Sequence, residues 1–262
     1  MNSKPLRDLP VVTITVVALC VIVWLLQLVH SGSVMNPSTS TLVDGGGCLP
    51  LYVLTGETWR LVTSVFVHVD IVHLGLNMLI FGIVAPGAER AFGHLPMLAI
   101  FLVGAILANI GFTAWAELHA TPAHFERLFD VLAGSSGGLM ALFGAMLVPS
   151  LLGALGQEPY VETFGTQVNR NLLWTIAINI GICFVIPHWD PTINIAGTLA
   201  GLVLGAILLA SPQHAGTAAG LLRFAAIGVL LAACVGSLVR GGDREFLGQL
   251  RGEYDTWRAS HP

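Results

Sequence analysis

Three groups of residues in this chain could do chemistry, and all of them lie in or beside strongly apolar stretches. The first is Gly134-Ser135-Ser136-Gly137-Gly138, which opens one such stretch. Glycines around a serine at a helix mouth let other backbone approach and leave amide N–H groups free. A serine beside free amides has the parts for acyl transfer, with Ser136 as nucleophile and the amides receiving the oxyanion. The same small residues also suit plain helix packing, because they let transmembrane backbones touch. The second group runs Thr63-Ser64-Val65-Phe66-Val67-His68-Val69-Asp70 and continues to His73 and Asn77. On a helix, His73 and Asn77 lie four apart and share a face. His68 and His73, five apart, are about 140° around the axis and do not. No His-Glu-x-x-His pair occurs, so the spacing does not point to zinc, and neither a metal nor a cofactor is expected.

The third group is a stripe of Gly197, Gly201 and Gly205 at four-residue intervals. It presents a flat face to another small-residue helix, and Gly137, Gly138, Ala141 and Gly144 offer one. Contact between the two would bring the residues just before Gly201 close to Ser136.

These groups must be positioned by elements suited to lipid. The 262 residues are 55% hydrophobic and 10% charged, with a mean hydropathy of +0.80. A soluble domain carries roughly 25% charged residues, so a water-facing enzyme is excluded. The net charge of −4 leaves no basic footprint for nucleic acid. Cys20, Cys48, Cys183 and Cys234 show neither metal-ligand spacing nor a disulfide framework, and read as packing residues. Seven stretches are apolar and long enough to cross a bilayer, at about 11–30, 64–84, 96–115, 136–152, 171–187, 193–210 and 218–239. The first, preceded by Lys4 and Arg7, reads as a retained signal-anchor. The fold class predicted is an all-α, polytopic membrane bundle forming one domain over 1–262. It has a six-helix core over about 11–210, one extra span, and a polar segment 240–262 read as amphipathic or disordered. With the N-terminus inside, Lys4, Arg7, Arg90, Arg170 and Arg223 fall on the inner side, while short outer loops hold Arg60 and Arg127. Seven spans then put 240–262 outside.

In order and spacing, Trp59-Arg60, His68, His73, Asn77, Glu89, Gly93, Gly134-x-Ser136-Gly137 and the Gly201–Gly205 stripe resemble the rhomboid intramembrane serine proteases. The resemblance covers about residues 56–205. It implies Ser136 as nucleophile at the start of the fourth span, in a cavity opening outward. It implies His73, Asn77 and the Ser136 N–H as the oxyanion site, with Gly134 and Gly137 shaping it. Trp59 and Arg60 would belong to a membrane-embedded outer loop, and Arg60, His68, Glu89, Gly201 and Gly205 would be structural. The implied partners are the lipid bilayer and a transmembrane substrate or client, cut near the outer boundary. The implied location is a bacterial cytoplasmic membrane.

Two positions depart from the family pattern. The family's general base is a histidine in the sixth span, in His-x-x-Gly-x-x-x-Gly, and Thr198 stands there. A threonine hydroxyl can hydrogen-bond Ser136 but has no basicity to take its proton. Losing the base of a serine hydrolase costs on the order of 10⁶ in turnover in the best-studied case. One turn after the serine, where the family carries an aromatic that packs on that histidine, stands Met140. The two losses together read as drift at a disused dyad. His119, His124, His188 and His73 are the candidate substitutes for the base, the first three without the rigid placement that proximity catalysis needs. Three readings follow: a protease impaired by loss of its base, an active protease using another base, and a non-catalytic binder of membrane clients. A channel or transporter with an intramembrane polar path is a more distant fourth.

Overall fold

The computed structural model describes residues 9–35, 37–121, 125–154, 166–185, 190–209 and 217–260. His124, His188, Lys4 and Arg7 lie outside them. The regular elements of the described residues are helices, and Cys48 and Leu132 form an isolated β-bridge. α1 (Val11–Ser31) has 21 residues, about 31 Å at 1.5 Å per residue, which matches a hydrocarbon core of roughly 30 Å. α5 (Ile71–Phe92), α6 (His94–Leu118), α9 (Pro191–Leu209) and α10 (Thr217–Arg240) are also long and apolar enough to cross a membrane. α7 (Ser136–Ala154) and α8 (Thr166–Ile182) contain shorter apolar stretches, Ser136–Pro149 and Asn171–Ile182. Each expected span thus has its helix: six in the core, with α10 added.

Between α1 and α5 the chain forms three short helices, α2 (Thr39–Asp44), α3 (Pro50–Leu54) and α4 (Arg60–Thr63). A 3₁₀ turn, Glu126–Phe129, lies between α6 and α7, and α11 (Arg244–Ser260) follows α10. Leu49, Leu51, Leu54, Leu61, Leu128, Leu247 and Leu250 bury one another, so all these segments share one end of the bundle. Arg127 reaches Asp190 at 2.8 Å and adds the start of α9 to that end. The opposite end holds the start of α1, the α5–α6 turn and the end of α9, whose Leu208 carbonyl accepts from Arg223 at 3.0 Å. Such alternation is what seven successive crossings produce.

The opposite end also explains Glu89. The amides of Val12 and Thr13 lie in the first turn of α1, and its N-cap position holds Pro10, which makes no side-chain cap. The Glu89 carboxylate accepts from those two amides at 2.8 and 2.9 Å, from the Thr13 hydroxyl at 2.7 Å and from His94 Nδ1 at 2.5 Å. A buried carboxylate at a helix N-terminus meets both its unsatisfied donors and its dipole. The main core lies among α1, α5, α6, α7 and α9, where Cys20, Phe81, Phe101, Met140, Phe143 and Leu204 are fully buried.

Two sequence expectations need correction. The second span was expected from about residue 64, but α5 starts at Ile71. Asp70 takes an extended conformation, and its side chain accepts from the His73 N–H at 2.7 Å. That is an N-cap, and it leaves 64–69 as an irregular entry. His68 therefore does not sit on the helix of His73, and the expectation that the two face apart fails: their rings meet edge-on at 5.5 Å. For the segment 240–262, expected to be amphipathic or disordered, the first alternative holds: Arg244–Ser260 form the amphipathic helix α11, which buries Leu247 and Leu250 against the segments at the serine end.

Candidate active site

Ser136 is the first residue of α7 and is half-buried. The turn before it depends on Gly134, whose φ of +136° is a conformation that favours glycine. A Cβ at Gly134 would lie 2.6 Å from the His73 ring, so this glycine also lets the histidine lie against the chain two residues before Ser136. The Gly134 N–H donates to the Ser64 carbonyl at 2.9 Å, and Cys48 and Leu132 exchange backbone hydrogen bonds at 2.8 and 2.9 Å. The serine turn is thus stitched on both sides to the segments between α1 and α5.

The α5 flank is densely partnered. A carbonyl can only accept, so the 3.1 Å contact from His68 Nδ1 to the Phe66 carbonyl places a proton on Nδ1. A buried, unpaired imidazolium is costly, so the ring is neutral and Nε2 is an acceptor. It faces the Ser135 hydroxyl at 3.4 Å. Gln27 of α1 pairs with the His68 backbone in both directions at 3.2 Å. Asn109 of α6 donates to the Leu61 carbonyl at 2.8 Å and the Ser64 hydroxyl at 3.0 Å. Asn77, buried one turn beyond His73, donates to the His73 carbonyl at 3.1 Å. His68, His73 and Gly134 are thus brought together, with Asn77 following on α5.

The α9 flank is built from backbone contact. α7 and α9 run parallel, and their glycines mesh in register. A Cβ at Gly197 would lie 2.4 Å from the Gly137 carbonyl oxygen, and one at Gly201 2.0 Å from that of Ala141. One at Gly205 would lie 2.8 Å from the Ala145 Cα, and one at Gly144 2.2 Å from the Thr198 carbonyl oxygen. Gly138, expected in this interface, instead receives the Phe101 ring of α6. The stripe thus places Gly197 beside the residue after Ser136, with Thr198 next in the chain. The Thr198 hydroxyl donates to the Asn194 carbonyl of its own helix at 2.8 Å. Met140 is fully buried in the core.

The segment between α3 and α4 carries Trp59, with Arg60 opening α4. Trp59 is 48% exposed, whereas Arg60 is 5% exposed. Arg60 stacks on the Trp59 and Tyr52 rings at 4.4 and 4.9 Å, binds Glu57 at 2.8 Å, and donates to the carbonyls of Val43 and Gly47 at 2.5 and 3.1 Å. Among the substitute bases, His119 stacks on Trp115 at 4.0 Å and donates back to the Trp115 carbonyl at 2.8 Å. Among the described residues no cluster of three His, Cys, Asp or Glu could hold a metal ion. All four cysteines are free.

Residues 55–211 match the Rhomboid domain. The chain belongs to the rhomboid family. It is 29% identical over 199 residues to the rhomboid protease GluP of Bacillus subtilis (strain 168), covering 76% of this chain and 35% of that protein. It is 32% identical over 194 residues to the mitochondrial RHOMBOID-like protein 6 of Arabidopsis thaliana, covering 71% and 56%. It is 29% identical over 204 residues to the putative rhomboid protease YdcA of Bacillus subtilis (strain 168), covering 78% and 88%. The chain spans about a third to a little over half the length of the first two of these relatives. It is an integral, multi-pass membrane protein of the rhomboid fold.

Sequence reasoning missed four partnerships around this site: Ser135 with His68, Gln27 with the His68 backbone, Asn109 with Ser64, and α11 with the segment after α3. Gln27 and Asn109 were visible in the sequence as amides inside apolar spans, where a polar side chain calls for a partner.

Proposed function

We propose that this chain receives transmembrane helices in a rhomboid-type site and cleaves them poorly or not at all. Ser136 stands as the nucleophile, and His73, Asn77 and the Ser136 N–H stand as the oxyanion site. The observation that carries the reading is the Thr198 hydroxyl, which occupies the position of the family's base and donates within its own helix. A hydroxyl satisfied in this way neither removes the Ser136 proton nor orients it. The α5 flank and the α7–α9 contact do not depend on a base, so a cavity for a client helix outlives the loss of proton transfer. By the basic residues of the spans and short loops, the N-terminus lies inside and the serine end faces out. In that orientation Arg240 and the three arginines of α11, Arg244, Arg251 and Arg258, also lie outside; Arg251 is paired with Glu57, and Arg258 with Asp44.

The test reconstitutes the purified chain with a transmembrane segment carrying helix-breaking residues near its outer boundary. The unmodified chain is expected to bind this segment without cutting it. Thr198→His with Met140→Tyr is expected to create cleavage that Ser136→Ala removes. Cleavage by the unmodified chain that disappears in Ser136→Ala would overturn the reading and favour an active protease using another base. No cleavage by the double variant would overturn the assignment of Thr198 to the base position.

A further inference from the structure

We propose that α11 is an intramolecular clamp on the outer loop, and that Arg251 is a positioning residue for the Ser136 turn, acting through Glu57 and Arg60. The inference rests on the reading of Ser136 as the working residue, but its test needs no cleavage. α11 meets the loop along its length. Its Leu247 and Leu250 are buried against the loop leucines, Phe246 meets Phe125 at 6.4 Å, and Tyr254 meets Phe129 at 4.9 Å. Its polar side chains then engage α2, α3 and the turn that follows. Tyr52 donates to Asp255, Arg258 donates to Asp44 at 2.8 Å and to the Tyr52 hydroxyl at 3.3 Å, and Arg251 donates to Thr55 at 2.8 Å. The Arg251 guanidinium also lies over the Tyr52 ring at 4.6 Å.

The connection to the site runs through one carboxylate. Glu57 gives Oε1 to Arg251 and Oε2 to Arg60. Arg60 in turn holds the Gly47 carbonyl, and Cys48, the next residue, is bridged to Leu132, four residues before Ser136. A second route runs through Phe125 and Phe129, which α11 covers just upstream of Leu132. An isolated surface ion pair is worth about 0–1 kcal/mol. Here a shared carboxylate fixes two guanidinium groups, one of them buried, so that losing either cation disturbs the other. Arginine suits both ends, because its fork serves two acceptors at once. Spatial continuity alone does not demonstrate coupling, so the test must separate local from global opening.

Two buried thiols provide that separation in the full chain. Cys48 sits in the clamped loop and Cys20 in α1 within the main core, and both are 0% exposed. Burial pushes the Cys48 thiol up to about 12, so it reacts only when the loop opens. Alkylation by iodoacetamide, quantified site by site by mass spectrometry, reports both. Arg251→Gln is expected to speed labelling of Cys48 about tenfold and leave Cys20 unchanged, with Arg251→Lys recovering most of the protection. Arg258→Gln, which loosens α11 without touching Glu57, is expected to give a smaller rise of about threefold. Labelling of Cys48 within twofold of the unmodified chain in Arg251→Gln would overturn the proposal. So would an equal rise at Cys20 and Cys48, which would make α11 a source of general stability only. If the variants fail to fold, hydrogen exchange on the unmodified chain decides the matter. The Leu132 amide is expected to open together with those of Leu247 and Leu250, and protection of Leu132 that survives full exchange of α11 would overturn the clamp. None of these outcomes alters the result of the Thr198→His experiment, so the two readings fail separately.

Discussion

Ser136 has two unlike flanks. On the α5 side, His68 is held at its backbone by Gln27, at Nδ1 by the Phe66 carbonyl, at Nε2 by Ser135 and at its ring edge by His73. On the α9 side, the Thr198 hydroxyl donates to a carbonyl of its own helix, and the helix is held in place by glycine-to-backbone contact. The difference lies in what each flank does for the fold. Groups on the α5 flank also satisfy buried backbone and side-chain atoms, so removing one leaves others unpaired in low dielectric. Thr198, which on the proposed reading stands at the position of the base, carries no such duty. Its hydroxyl satisfies itself by an i−4 hydrogen bond.

The largest effect expected is on turnover. If the α9 flank lacks only its base, Thr198→His with Met140→Tyr will raise cleavage of a helix-destabilised transmembrane segment by roughly 10³-fold or more. The measurement is a gel-based time course in proteoliposomes, with Ser136→Ala as the blank. A gain of less than tenfold would mean that the flank is misplaced as well as missing its base.

Next comes the packing that sets that flank. Gly201→Val places a Cβ 2.0 Å from the Ala141 carbonyl oxygen and forces α7 and α9 apart. A loss of about 3 kcal/mol or more is expected in reversible unfolding, at the upper end for overpacking. Gly181→Ala on α8, where a Cβ meets nothing within 4 Å, serves as the control and should not destabilise. Equal effects at the two glycines would mean that the close α7–α9 contact is not what holds the flank.

On the opposite flank, His68→Ala removes a fully buried ring with two hydrogen-bonding nitrogens. The expected loss is about 2–3 kcal/mol, from the cavity and from the partners left unsatisfied at Ser135 and Phe66. A change below about 0.5 kcal/mol would break the comparison, because His68 would then carry no more structure than Thr198.

The sequence was a better guide to one flank than to the other. The glycine stripe predicted the α7–α9 contact, because a four-residue period of residues lacking side chains has few uses in a membrane other than close approach. The helix spans followed from apolar length alone. The turn at 64–70 was misread because its apolar run continues into α5, and hydropathy does not register the Asp70 cap that starts the helix. The neighbourhood of His68 and His73 was lost with it, since a helical wheel is meaningless across a helix start. Glu89 was expected to be structural, but its partner, the uncapped first turn of α1, lies more than seventy residues away in the chain. α11 was illegible for a similar reason: its arginines alternate with carboxylates, and only the fold shows that Glu57 and Asp44 face them.

The smallest effect expected is the most discriminating. Thr198→Val keeps the shape of the side chain and deletes the hydroxyl. The Asn194 carbonyl that accepts from it lies in the first turn of α9, where the helical N–H four residues on also serves it, so the substitution strips no buried group of its last partner. The change should stay within about 0.5 kcal/mol in unfolding, as for substitutions that disturb no special feature. Binding of a client helix should be unaltered. A loss above about 1.5 kcal/mol, or a weakened client, would mean that the hydroxyl turns away from Asn194 to hold Ser136 or the bound segment. Thr198 would then be a working residue, and the α9 flank would have been converted to another task instead of abandoned.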